Sequence, residues 1–69
     1  MSEKLRKRVN IVLLEKRIAE LIQSGRSQKE ILTSIGITSL GDLEFLSSGE
    51  LLDCLSVLNE RQLSLFDVA

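Results

Sequence analysis

Histidine, proline, tryptophan and tyrosine are all missing from this chain; cysteine occurs once and phenylalanine twice. Each absence excludes something. One Cys and no His are too few ligands for a structural zinc site. A lone Cys closes no internal disulfide, so nothing covalent staples the fold. Without His the usual general base near neutral pH is gone. Neither Cys54 nor any Ser then has the partner that nucleophilic catalysis requires. Asp53, next to Cys54, would raise the thiol's pKa rather than lower it. Glu50 and Asp53 stand three apart on one helix, where such carboxylates are ordinarily just solvated. The expectation is a non-enzymatic binding protein with no metal and no cofactor. Long apolar runs are missing too. The longest is Ile11-Val12-Leu13-Leu14, against the roughly 20 residues that span a bilayer. Glu15, Lys16 and Arg17 then interrupt any segment of the secretory kind. We expect a cytoplasmic protein, its thiol reduced, with no membrane partner.

The chain has 69 residues, room for one domain. Its formal net charge is only -1, but the charge is unevenly spread. Residues 1–30 hold eight basic and four acidic side chains, a net of +4; residues 31–69 hold one basic and six acidic, a net of -5. Such asymmetry can mark a basic arm for nucleic acid. It can equally mark two halves that attract each other, within one chain or across a dimer. The basic candidates for non-specific DNA contact are Lys4, Arg6, Lys7 and Arg8, which could meet phosphates without reading sequence.

Helical periodicity dominates, and no strand-like alternation of any length occurs. The first helix is expected from Ser2 or Glu3 to about Ser24. Ile11, Leu14, Ile18 and Leu21 recur at coiled-coil spacing. Val12, Ala19 and Ile22 would widen that stripe, while Val9 and Leu13 lie toward its other side. A helix that is apolar on more than one side needs more than one cover. The cheapest second cover for so small a chain is another copy. Ile11, Leu14, Ile18 and Leu21 are therefore the expected dimer interface. Gly25 suits the left-handed position after the helix.

Ser27-Gln28-Lys29-Glu30 has the spacing of a capping box and opens a second helix with Ile31, Leu32 and Ile35 on its apolar face. Gly36 ends it. A short third helix, capped by Thr38 or Ser39, would bury Leu40, Leu43 and Leu46, with Phe45 nearby. Ser47-Ser48-Gly49-Glu50 again has capping-box spacing, and Leu51, Leu52, Leu55 and Leu58 follow at helical intervals. Cys54 beside them would pack as a small apolar residue. The fold class expected is a small all-α bundle of about four helices over residues 1–58, followed by a C-terminal tail, 59–69. Domains of this size stand near the lower limit of stability without staples, which again favours a homodimer.

After Leu58 the stripe stops. Asn59-Glu60-Arg61-Gln62 is a full polar turn, and then Gln62-Leu63-Ser64-Leu65-Phe66 brings large apolar residues close to the last residue, Ala69. Apolar side chains there suggest docking, on the chain's own core or on a partner. The pentapeptide resembles the motif with which bacterial polymerases, mismatch-repair proteins, initiator regulators and some phage and plasmid proteins bind the DNA polymerase sliding clamp, of consensus Q-L-[S/D]-L-F. All five positions match. The resemblance implies an extended peptide. Gln62 would hydrogen-bond through its amide in a small polar subsite. Leu63 would contact the rim, and Ser64 would be a tolerant spacer. Leu65 and Phe66 would fill the apolar pocket. It covers five of the 69 residues and says nothing of the rest. The function expected from it is docking on the clamp to modulate replication or recruit to it, as a small phage or plasmid product would.

Residues 27–46 also resemble a helix-turn-helix, with Gly36 in the turn and Ile31, Ile35 and Ile37 as core positions. A reading helix should carry Arg, Lys, Asn or Gln to base edges. This one carries Ser39, Gly41, Asp42 and Glu44, and carboxylates are repelled by phosphates. A DNA-binding regulator, through this segment or the basic arm, is thus the runner-up to clamp docking. A helical protein–protein adaptor is the third reading.

Overall fold

The computed structural model describes the backbone of residues 2–68 and the side chains of residues 2–60. Four helical elements and no strand occur among them: α1 (Glu3–Gln23), α2 (Gln28–Ser34), a 3₁₀ helix that we label α3 (Leu40–Phe45), and α4 (Ser48–Val68). The fold is small and all-α, as the periodicity predicts.

Local chemistry sets the boundaries. Ser2 caps α1, its hydroxyl oxygen accepting from Leu5 N–H at 3.2 Å. At the other end Gly25 takes φ 108°. Arg26 N–H then reaches back to the carbonyl of Leu21 and Gly25 N–H to that of Ile22, the paired bonds of a Schellman turn. The same pair recurs after α2: Gly36 has φ 80°, with Ile37 N–H on Leu32 and Gly36 N–H on Thr33. Ser27 caps α2, accepting from Glu30 N–H at 3.1 Å. Ser47 and Glu50 form the full reciprocal box at the start of α4: Glu50 N–H donates to the Ser47 hydroxyl at 3.2 Å, and Ser47 N–H to the Glu50 carboxylate at 2.9 Å.

The core is Ile11, Leu14, Ile18 and Leu21 of α1, Ile31 and Leu32 of α2, Leu43 of α3, and Leu51 and Leu58 of α4, with Ile35, Ile37, Leu46, Cys54 and Leu55 packed against it. α4 starts beside the N-terminal half of α1, where Ser48 meets Glu3 and Asn10. Leu58, further along α4, is still buried in the shared core. α4 therefore runs in the same direction as α1, and α2 and α3 make the return path between them.

This arrangement corrects several expectations. Ile11, Leu14, Ile18 and Leu21 are not a dimer interface: their exposures are 8, 0, 2 and 3% within the single chain, because the rest of that chain covers them. Val12 and Ile22 do not widen this buried stripe; both are exposed on α1. Leu40 and Leu52 face solvent although each belongs to a stripe predicted to be buried, and Phe45 is 85% exposed. The 3₁₀ winding of α3 accounts for Phe45: at about three residues per turn it stands two positions from Leu43 and so off the edge that Leu43 turns inward.

Candidate functional site

The segment that carries the functional resemblance, residues 62–66, follows the last described core residue in the sequence. The last buried side chain among the described residues is Leu58, at 2% exposure, and Asn59 and Glu60 after it are exposed. α4 continues beyond that stripe to Val68, so the backbone of residues 59–68 is helical where the sequence predicts a separate tail and the resemblance implies an extended peptide. Gln62, Leu63, Ser64, Leu65 and Phe66 lie outside the residues whose side chains are described.

The opposite end of α4 is held by two side chains of α1. Ser48 is buried, and its N–H and hydroxyl both donate to the Glu3 carboxylate, at 3.1 and 2.8 Å. Asn10, also buried, donates from Nδ2 to the Ser48 carbonyl at 3.1 Å. The Ser48 hydroxyl, then its N–H, hold the Glu3 carboxyl below its ordinary pKa. A carboxylate at a helix N-terminus is favoured by the helix dipole as well. Sequence reasoning missed this junction. No local pattern around Glu3 or Asn10 signals it, and only the tertiary approach of α4 gives them a partner.

The basic cluster does not form one face. Lys4, Lys7 and Arg8 line a shallow groove with Ile11 and Glu44. Arg6 lies round the helix from them, since positions two apart on a helix point to different sides. Lys7 is already engaged, its ammonium donating to the Glu44 carbonyl of α3. Part of this charge therefore holds α1 to α3.

The segment resembling a helix-turn-helix has its first helix and its Gly36 turn, but the second element is the 3₁₀ helix α3. Its Asp42 carboxylate accepts from Thr38 N–H, Thr38 Oγ1 and Ser39 N–H at 3.0–3.3 Å. These bonds, the Thr38 N–H foremost, keep Asp42 below its ordinary pKa and hence charged. A short acidic turn of this kind offers no reading head for a major groove.

The Cys54 thiol is half-buried and lies 3.9 Å from the Ile35 carbonyl. Burial, then Asp53 and Glu50, push its pKa up, away from a reactive thiolate. Glu50 is committed to its cap, and the two Ser47 bonds hold its carboxyl below the usual range. No three His, Cys, Asp or Glu side chains gather as a metal site among the described residues. No helix among them is long and apolar enough to cross a membrane. No family model, curated protein or solved structure matches the chain.

Proposed function

We propose that this protein docks on the bacterial DNA polymerase sliding clamp through residues 62–66 and acts without catalysis of its own, either bringing another factor to the clamp or occupying the pocket that polymerases use. The observation that carries this reading is the residue order Gln62-Leu63-Ser64-Leu65-Phe66. It stands beyond the last described core residue, Leu58, and behind the polar turn 59–62. Leu65 and Phe66 are adjacent apolar anchors, each contributing roughly 1.5–3 kcal/mol when fully buried in a pocket. Ordering the segment costs part of that gain, so one copy should bind at about micromolar Kd, near -8 kcal/mol.

Fluorescence polarisation with purified clamp tests the proposal. The full chain should bind, and the double substitution Leu65→Ala, Phe66→Ala should weaken binding by about 100-fold or more. A double variant that binds as well as the parent, or a parent that the clamp ignores, ends this reading.

A further inference from the structure

The face of α1 turned away from the core carries a second apolar stripe. Leu5, Val9 and Val12 follow one another at spacings of four and three, with exposures of 58, 46 and 55%, and Leu13 flanks them at 45%. Lys16 takes the next place in the series. This is a coiled-coil seam with nothing among the described residues to cover it.

The charges bordering the seam indicate what does. Arg8 and Glu15 lie along one edge, seven residues apart, and both are exposed. If two copies of α1 are laid antiparallel about a two-fold axis, Val9 of each meets Val12 of the other, and Leu5 lies along the aliphatic stem of the opposing Lys16. Arg8 of each copy then stands beside Glu15 of the other, so a single register yields two opposite-charge pairs, as edge positions of antiparallel coiled coils allow. A parallel pair would instead set Glu15 against Glu20 of the other copy and leave Arg8 facing Leu13. Like charges at those positions are destabilising.

We infer that the outer face of α1, centred on Val9 and Val12, is the surface on which a second copy of this chain docks, antiparallel, with Arg8 and Glu15 pairing across the two-fold axis. A self-complementary patch of this kind makes a closed dimer and not a filament. It also covers the largest exposed apolar stretch of a helix that belongs to a very small fold.

Sedimentation equilibrium of the full chain over roughly 1–500 μM should show monomers and dimers. Val12→Glu should raise the dimer dissociation constant by more than about tenfold, and Val9→Lys should do the same. Circular dichroism should stay helical for both, because both positions are exposed in the single chain. Arg8→Glu and Glu15→Arg should each weaken the dimer about threefold or more, and the double swap should return it to within about twofold of the parent. The Leu65→Ala, Phe66→Ala chain should dimerise unchanged, which separates this interface from the clamp motif. A protein that is monomeric throughout, or a dimer indifferent to Val12→Glu and Val9→Lys, overturns the assignment. Failure of the double swap to restore association overturns the antiparallel register.

Discussion

The two ends of α4 are built on opposite principles. At its start the backbone is fixed from three directions: the Ser47–Glu50 box, the Glu3 carboxylate on Ser48 N–H and Oγ, and the Asn10 amide on the Ser48 carbonyl. Past Leu58 the pattern of buried leucines gives way to Asn59, Glu60, Arg61 and Gln62. The hydrogen bonds that fix the first end are addressed to the protein itself. The other end carries the residue order on which the clamp proposal rests. Under that proposal stability and recognition reside in different parts of one helix, so each can be removed without the other.

The largest expected effect tests that separation directly. Leu65→Ala with Phe66→Ala should remove clamp binding by about two orders of magnitude or more while leaving the thermal melt of the free protein within a few degrees of the parent. Melting together with binding lost would mean that the two residues belong to the core, and the contrast between the ends would collapse.

Next in size is the converse experiment. Leu51 is fully buried between the helices, so Leu51→Ala should destabilise by about 2–5 kcal/mol through lost transfer energy and the cavity left behind. A domain of this size has only roughly 3–10 kcal/mol in total. Urea unfolding should therefore show a midpoint shifted far downward, or no folded baseline at all. Any fraction that remains folded should still bind the clamp with the parental Kd, since Leu51 is far from the motif in the chain.

Asn10→Ala comes third. The buried Asn10 amide satisfies the Ser48 carbonyl, and losing it leaves that acceptor short of its partner, at about 1–3 kcal/mol. The expected result is a lower urea midpoint with an unchanged m-value. No change in the midpoint would show that the junction between α1 and α4 contributes nothing to stability.

Much of this architecture was legible beforehand, for reasons that are local. Ser27, Gly25, Gly36 and the Ser47–Glu50 box announce helix ends through bonds made within a few residues, and such bonds depend little on tertiary context. What was not legible is which stripe meets what. α1 carries two seams of coiled-coil spacing, Leu5-Val9-Val12-Lys16 and Ile11-Leu14-Ile18-Leu21, and periodicity alone cannot tell which is covered by the same chain. The structure gives the interior to the second, which holds the larger Ile and Leu side chains and has no Lys among them. Asn10 and Glu3 were invisible for a related reason: their partner, Ser48, lies 38 and 45 residues away. The candidate clamp motif stands at the other extreme. It is read entirely from five consecutive residues and owes nothing to the packing of the rest.

The smallest effect is the most specific to the fixed end. Glu3 in the folded protein has a pKa held below its ordinary value by the Ser48 bonds, while in the unfolded chain it returns to about 4.3. A group whose pKa is lowered on folding contributes stability that is fully present above the unfolded value and is lost as pH falls through the folded one. Asp42 and Glu50 are shifted in the same direction by their own caps and add to the same trend. The melting temperature should accordingly be flat between about pH 7 and 5 and decline as the solution is acidified below about 4. Glu3→Gln separates one contributor from the sum. The amide oxygen can still accept from Ser48, but the charge at the head of α4 is gone. The variant should melt below the parent at pH 7, and the gap should close as the parent's own Glu3 becomes protonated. A gap that stays constant from pH 7 to 3 would mean that the carboxylate's charge has no part in holding α4 to α1, and the fixed end would rest on Asn10 and the Ser47–Glu50 box alone.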